Sequence, residues 1–144
     1  MEWMILPLKR YADFEGRSRR LEYWMFQLFI WIVICVLVGL AFLLGGPGSF
    51  DPESGGREPG PLFWLPMAVF GIFFLAIIVP SLAVTVRRLH DRDMSGWFYL
   101  ISFIPYIGPL ILFVMTVLPG TPGENRYGED PLDPNPRDLD RVFS

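Results

Sequence analysis

The sequence is poor in the residues from which metal sites and disulfides are built. It contains one cysteine, Cys35, and one histidine, His90. A single cysteine excludes an intramolecular disulfide, and these two residues alone cannot supply a zinc site. The glycine-rich linker contains no Gly-Lys-Ser or Gly-Lys-Thr, so a phosphate-binding loop is not supported either. We therefore expect no metal, no cofactor and no nucleic acid partner.

Charge is absent from three long stretches of the chain. Residues 25–44, 61–86 and 97–118 contain no Asp, Glu, Lys or Arg, and each stretch is at least 20 residues long. About 20 helical residues cross the hydrocarbon core of a bilayer. A backbone in lipid must satisfy its own hydrogen bonds, which favours helices over strands. The predicted fold class is all-α: a polytopic integral membrane protein with three transmembrane helices.

Three further features define the predicted domain organisation. Residues 1–131 form one membrane domain with polar loops at 45–60 and 87–96, and the acid- and proline-rich residues 132–144 form a disordered tail. Pro80 predicts a kink in the second helix. The stretch Ile104-Pro-Tyr-Ile-Gly-Pro109 predicts a bend or break in the third helix. A re-entrant hairpin is the alternative for this third run, and it would return the C-terminus to the side on which the run begins.

Basic residues are unevenly distributed along the chain. Eight of the twelve precede the first apolar run or lie in the loop 87–96, and the other four lie in the loop 45–60 or beyond residue 118. Basic residues near helix ends favour the cytoplasmic side of a membrane. With three crossings, this bias predicts a cytoplasmic N-terminus and a C-terminus on the outer side.

Two polar segments beside the apolar runs hold the candidate binding residues. Glu22 follows Arg19 by three residues and Asp91 follows Arg87 by four, which suits ion pairs along a helix. Paired arginines would be fixed in place, whereas unpaired arginines would hold lipid phosphates or the acidic groups of a protein partner. The predicted polar cluster comprises Arg17, Arg19, Arg20, Glu22, Arg87, Arg88, His90, Asp91 and Arg92.

Aromatic residues and a C-terminal motif complete the candidate sites. Trp and Tyr side chains anchor helices at the membrane interface, and this role is predicted for Trp3, Tyr23, Trp24 and Trp97. The chain after the third run is rich in turn-forming residues. We predict a separate element on the outer side there, which contains Asn125, Arg126, Tyr127 and Gly128.

Three motifs, in this order, resemble a known bacterial family. They are Phe14-x-Gly-Arg-x-x-Arg-x-Glu-Tyr-Trp24, Arg87-Arg-Leu-His-Asp-x-x-x-Ser-Gly-Trp97 and Gly120-Thr-Pro-Gly-x-Asn-x-Tyr-Gly-x-Asp-Pro131. With their separations, they resemble the family called domain of unknown function 805, over about residues 8–131. The resemblance implies a small multi-helix protein of the bacterial inner (plasma) membrane. It carries over no catalytic role for any residue.

Three functions from different classes fit these patterns. The first is a non-enzymatic scaffold or binding protein in the lipid bilayer, whose arginine cluster contacts anionic phospholipid headgroups or a membrane protein partner. The second is a subunit of an oligomeric transporter or channel, which requires a homo-oligomer because three helices seldom enclose a pore. The third is a membrane-surface enzyme using His90. We predict no catalytic residue, because adjacent residues such as His90 and Asp91 do not face each other on a helix.

Overall fold

The computed structural model describes residues 2–46, 48–51 and 55–132. The predicted disordered tail, apart from Leu132, lies outside the described residues. The helices and strands in chain order are α1 (Glu2–Lys9), α2 (Arg20–Gly45), β1 (Ser49–Asp51), β2 (Gly56–Glu58), α3 (Trp64–His90) and α4 (Ile107–Val117), with 3₁₀ segments at Pro61–Phe63 and Gly96–Phe103. The described fold is thus helical apart from one short pair of strands.

Two of these helices are long and apolar enough to cross a membrane. They are α2 and the continuous helical stretch Pro61–His90, which ends with α3. Only 11 % of the most apolar window of each is buried, and large side chains such as Trp31 and Ile72 are exposed. A helix in the core of a soluble protein would bury these residues. The two helices agree with the predicted helices at 25–44 and 61–86, and α3 continues four residues further, to His90.

The chain divides into two compact units, and residues 27–78 form one of them. This apolar unit contains the larger part of α2 and the first half of α3. Within it, the amide of Gly60 donates to the carbonyl of Gly45 at 3.1 Å, which ties the end of α2 to the start of the next helix. Between them, β1 and β2 pair antiparallel with Ser49 opposite Glu58. The segment predicted as a plain loop therefore contains a small hairpin.

Residues 1–26 and 79–144, described to residue 132, form the other unit, which we call the arginine-rich unit. It contains α1, the first turns of α2 and the last turns of α3. Pro7 lies inside α1, although a proline disfavours an unbroken helix. Pro7 is fully buried.

The third apolar run does not form the single helix expected for residues 97–118. The 3₁₀ segment Gly96–Phe103 is followed by a break at residues 104–106 and then by α4, only 11 residues long. The two arms pack against each other. Their contact is so close that a Cβ atom on Gly108 would lie 1.9 Å from the carbonyl oxygen of Ile101. We call this antiparallel pair, residues 96–117, the apolar hairpin.

Both ends of the apolar hairpin lie beside the end of α3. A Cβ on Gly96 would contact Val86, and one on Gly120 would contact Asp91. The prediction of one spanning helix over 97–118 is therefore wrong, and the chain returns to where the run began. The break coincides with the proline-rich stretch, and Tyr106 adopts a positive φ of 64° there. A kink at Pro80, inside α3, stays a prediction.

Candidate functional site

A single carboxylate lies at the centre of the arginine-rich unit. One oxygen of Asp91 accepts a hydrogen bond from Nε of Arg17 at 3.0 Å and forms an ion pair with its Nη2 at 2.9 Å, and the other oxygen accepts from Nη1 of Arg88. All three side chains are buried, with at most 7 % exposed. A buried ion is stable only when it is paired and its remaining hydrogen bonds are satisfied. Asp91 therefore supports the unit and is not available to an external ligand.

Arg17 ties this centre to the C-terminal segment. Its Nη1 donates to the carbonyl of Gly123 and its Nη2 to the carbonyl of Thr121, each at 2.6 Å. The amide of Thr121 in turn donates to the carbonyl of Asp91 at 2.8 Å. A guanidinium has five N–H donors in a rigid fork, which suits several acceptors at once. Arg17 thus holds residues 119–128 against the loop after α3.

Arginines also satisfy the carbonyl groups at the end of α4. Nε of Arg88 donates to the carbonyl of Thr116 at 3.0 Å, and its Nη2 donates to that of Leu118. Arg92 and Arg20 reach the carbonyls on either side of Thr116, each at 3.4 Å. The last carbonyls of a helix lack helical partners and carry partial negative charge. Arginines from α2, from α3 and from the loop after α3 therefore contact the end of the apolar hairpin.

A second buried ion pair joins the first motif to α3. Nη2 of Arg87 lies 3.3 Å from Oε1 of Glu22, and its Nη1 donates to the carbonyl of Asp13. The carbonyl of Arg87 accepts from the amide of Ser18 at 3.2 Å. Within the described residues, Nε of Arg87 and Oγ of Ser18 are buried without a hydrogen-bond partner. The predicted partners, Arg19 for Glu22 and Arg87 for Asp91, were thus both wrong, because each acid binds an arginine from another segment.

His90 is held by its neighbours on two sides. Its Nδ1 lies 3.3 Å from the carbonyl oxygen of Gly16, and its ring stacks on Tyr127 with centroids 3.8 Å apart and planes 4° apart. Nδ2 of Asn125 donates to the His90 carbonyl at 3.0 Å. Arg17 and Arg88 bind the two oxygens of Asp91, and among the described residues no hydrogen bond joins the His90 ring to this carboxylate.

The C-terminal motif lies within the arginine-rich unit rather than apart from it. Asn125 and Tyr127 contact His90, the carbonyl of Gly128 lies 3.4 Å from Nη1 of Arg17, and exposed Arg126 pairs with Asp93 at 2.9 Å. The prediction that this motif and the loop 87–96 lie on opposite sides of a membrane is therefore wrong. The prediction failed because it assumed that residues 97–118 cross the membrane. Both ends of the apolar hairpin lie on the same side, so the segment that follows it lies there too.

The four predicted interfacial anchors have different surroundings. Trp97 is largely exposed and Trp24 is partly exposed, with its ring edge-on to Phe113 at 5.6 Å. Trp3 lies under the guanidinium of Arg19 at 5.4 Å. Tyr23 is buried in the arginine-rich unit. Tyr23 is therefore a core residue, whereas Trp24 and Trp97 retain the exposure that an anchor requires.

Two of the predicted arginines line a cleft. It has a volume of about 640 Å³, and its walls include Arg19, Arg20, Leu21, Trp24, Val117 and Asp130. The only described hydrogen bond of the Arg20 side chain is the 3.4 Å contact to the Val117 carbonyl, at an exposed position. Hydrogen bonds from the amides of Leu132 and Gly123 lower the pKa of Asp130, so it is a carboxylate. We call this space the cationic cleft.

A second cleft, of about 550 Å³, lies between α3 and the first arm of the apolar hairpin. Leu82, Val86 and His90 contribute to one wall, Trp97 and Phe103 to the other, and Tyr127 lies at its edge. None of the described residues that line it is charged. We call it the aromatic cleft.

Several residues of the site were missed from the sequence. Thr121 and Gly120 belong to the motif quoted for the family, but nothing in the sequence alone indicated contact with Asp91. Thr116 and Asp13 contribute only backbone carbonyls. A backbone acceptor can be any residue, so side-chain chemistry gives no signal for it. In the described part of the chain, no cluster of acids, His and Cys could hold a metal ion.

Comparison with known proteins shows the family. The sequence profile of a family described as "Protein of unknown function (DUF805)" matches residues 11–129, which include the first two polar motifs and all but the last two residues of the third. The chain belongs to this family. No solved structure matches it.

Three relatives from Escherichia coli (strain K12) cover most of the chain. "Inner membrane protein YhaH" is 42 % identical over 135 residues, which is 93 % of this chain and all of that protein. "Inner membrane protein YhaI" is 40 % identical over 131 residues, 91 % of this chain and 96 % of that protein. "Uncharacterized protein YiiR" is 28 % identical over 146 residues, which cover 84 % of this chain and 87 % of that protein. With its two long apolar helices, this DUF805 chain is an integral membrane protein related to bacterial inner membrane proteins.

Proposed function

We propose that the protein is a non-enzymatic membrane protein that binds an anionic phospholipid headgroup in the cationic cleft. One observation carries the proposal. Arg17, Arg87 and Arg88 are buried and engaged within the protein, whereas Arg19 and Arg20 line a cleft with room for a ligand. The lipid-binding role expected of the whole arginine cluster is thereby reduced to these two side chains.

Charge in the cationic cleft favours an anion. Asp91 is at its edge, but its charge is balanced by Arg17 and Arg88. Two guanidiniums therefore oppose one further carboxylate, that of Asp130. Arginine binds phosphate with two parallel hydrogen bonds, and a phosphate would complete the charge balance on this wall.

Apolar walls favour a lipid over a soluble anion. Leu21, Trp24 and Val117 line the same cleft, and all three are exposed. Arg20 is the first residue of a helix long enough to cross a membrane. The cleft thus combines cations with apolar surface at the start of a membrane-spanning segment, which is where headgroups meet acyl chains.

We further propose that α2 and α3 cross the membrane and that the apolar hairpin re-enters it from the cytoplasmic side. This topology places Lys9, Arg10 and the seven other described basic residues of the arginine-rich unit in the cytoplasm, and residues 55–60, with Arg57, outside. The hairpin arms, 8 and 11 residues long, would each extend about 16 Å, roughly half the hydrocarbon thickness.

Cysteine labelling tests this topology. Cys35 is exposed and is first replaced by alanine. A membrane-impermeant maleimide should label Glu58→Cys in intact spheroplasts and should label Glu124→Cys only after permeabilisation, both positions being exposed. Labelling of Glu124→Cys in intact spheroplasts would refute a cytoplasmic C-terminal segment.

Lipid binding is tested with Arg19→Gln/Arg20→Gln in mixed micelles, by native mass spectrometry with phosphatidylglycerol and phosphatidylcholine. A basic residue near an anionic surface contributes about 1 kcal/mol, so retention of phosphatidylglycerol should fall about fivefold for each arginine. Arg126→Gln is the matched control, because Arg126 is exposed and paired with Asp93 outside the cleft. Equal retention by both variants, or equal retention of both lipids, would contradict the proposal.

The alternative of an oligomeric transporter or channel has one observation in its favour. Interrupted helices at membrane depth occur at transporter binding sites, and the apolar hairpin is interrupted at residues 104–106. In the described hairpin, however, residues 96–117 carry no charged side chain. The cationic cleft is the better supported site, because it holds charged groups that a ligand can reach.

A further inference from the structure

We propose that the aromatic cleft binds an uncharged ring-bearing lipid of the hydroquinone class, with one hydroxyl group donating to Nε2 of His90. This site is separate from the phospholipid site, and the proposal does not depend on it. Three properties of the cleft support this assignment: its lack of charge, the orientation of the His90 ring and the direction in which the cleft runs.

The first property is charge. The described residues that line the aromatic cleft include no Arg, Lys, Asp or Glu, and its polar side chains are those of His90, Ser95 and two tyrosines. An ionic headgroup would lose its water without gaining a partner of opposite charge. The occupant is therefore uncharged, in contrast to the lipid expected in the cationic cleft.

The second property is the orientation of the His90 ring, which determines how the ring can form hydrogen bonds. A carbonyl oxygen can only accept a hydrogen bond, so the contact with the Gly16 carbonyl assigns the proton to Nδ1. In the neutral ring, Nε2 then carries a lone pair and accepts. The stacked ring of Tyr127 fixes the orientation of the imidazole. The ligand must therefore present a donor, such as a hydroxyl group.

Gly96 leaves this nitrogen accessible. A Cβ atom on Gly96 would lie 3.5 Å from Nε2 and 2.8 Å from Cγ1 of Val86, and both neighbours line the cleft. Any larger residue would fill the space in front of the imidazole edge. The absence of a side chain at this position thus keeps a hydrogen-bond acceptor open inside an apolar cleft.

The third property is the direction in which the cleft runs, which sets the shape of the occupant. Leu82 precedes His90 by eight residues on α3, a distance of about 12 Å along the helix. The cleft therefore continues from the acceptor at the end of the helix into the apolar part of α3. Trp97, Phe103 and Tyr127 offer aromatic surfaces to a ring. A hydroquinone ring with an apolar tail meets all these requirements, and its oxidised quinone lacks the donor.

The single histidine of the chain makes a direct test possible. The full-length protein is labelled with ¹⁵N-histidine in detergent at pH 8, above the usual pKa of histidine, so that one imidazole gives the whole signal. Decylhydroquinone, decylquinone and the dimethyl ether of the hydroquinone are titrated in turn under reducing or inert conditions. The hydroquinone should shift the Nε2 resonance in the direction of an accepted hydrogen bond and should bind about fivefold more tightly than the other two.

Two variants complete the test. His90→Phe keeps a ring against Tyr127 but has no Nε2, so the fivefold preference, read from quenching of tryptophan fluorescence, should disappear. Tyr106→Ala, at the exposed break of the hairpin and outside the cleft, should retain it. Equal Nε2 shifts with hydroquinone and dimethyl ether, or no shift with hydroquinone, would overturn the proposal. Loss of phosphatidylglycerol binding in Arg19→Gln/Arg20→Gln should leave this preference unchanged.

Discussion

The buried and the accessible arginines of the arginine-rich unit differ in what they contact, although they lie in the same short stretches of sequence. Arg17 is buried against Asp91 and backbone carbonyls, whereas Arg19, two residues later, covers the ring of Trp3 at the edge of a cleft. Arg88 is fully buried, whereas Arg92, one turn later, is partly exposed. Identical side chains thus divide into a group that stabilises the fold and a group that a ligand can reach.

The difference follows from the supply of acceptors. The buried arginines contact two carboxylates and the carbonyls of α4 and of residues 119–128. Desolvating a guanidinium is costly unless nearly all its donors are paired. Only a segment that returns to the arginines can provide so many acceptors. Arg17 and Arg88 therefore depend on the return of the chain through the apolar hairpin, whereas Arg87 pairs with Glu22 and the Asp13 carbonyl.

The largest expected effect comes from removing the central carboxylate. Asp91→Asn keeps the shape of the side chain but leaves Arg17 and Arg88 without their shared counter-charge. Breaking a buried ion pair by changing one partner costs about 3–5 kcal/mol. We expect the free energy of unfolding in mild detergent to fall by this amount, measured by near-ultraviolet circular dichroism during thermal unfolding.

Asp93→Asn is the matched control for this change. Asp93 is two residues away and pairs with Arg126 at 2.9 Å, but both side chains are about half exposed. Exposed ion pairs contribute about 0–1 kcal/mol. If both variants unfolded at the same temperature as the parent protein, the distinction between buried and accessible ion pairs would be wrong.

The sequence predicts the two long helices well, because a helix that crosses lipid needs about 20 consecutive apolar residues without charge. The uncharged stretches 25–44 and 61–86 agree with α2 and α3. The run 97–118 satisfies the same rule of length and charge, yet it forms a hairpin. Its return depends on contacts between residues far apart in sequence, such as that of Arg88 with the Thr116 carbonyl. The proline-rich stretch indicated a break in this run and left a re-entrant hairpin open as the alternative, but composition within the run cannot report the contacts that decide between them.

The sequence indicated the charged residues of the candidate site, but not their arrangement or the backbone groups that they contact. The polar motifs identified the charged residues, because these residues cluster in short segments between long uncharged runs. The ion-pair partners of Glu22 and Asp91 were not predictable, because spacing along one helix favours local pairs and the observed pairs join different segments. Burial depends on the same long-range contacts. The sequence therefore could not show in advance that Arg17 is buried and Arg19 accessible, or that Tyr23 is buried and Trp24 exposed.

A smaller effect is expected from exchanging arginine for lysine. Arg17→Lys retains the positive charge but replaces a fork of five donors by one ammonium group, which cannot reach Asp91, Thr121 and Gly123 together. A hydrogen bond to a charged group contributes about 1.5–3 kcal/mol. We therefore expect a loss of about 2 kcal/mol in the free energy of unfolding, and faster proteolytic cleavage within residues 119–132.

Arg20→Lys is the control, and it separates stability from binding. Its single described hydrogen bond, 3.4 Å to the Val117 carbonyl, is exposed, so stability should change by no more than about 0.5 kcal/mol. Its retention of phosphatidylglycerol should fall, because lysine lacks the paired donors that bind phosphate. Arg17→Lys, refolded to the same helical content, should retain the lipid as the parent protein does. The reverse pattern would mean that Arg17, rather than Arg20, faces the ligand.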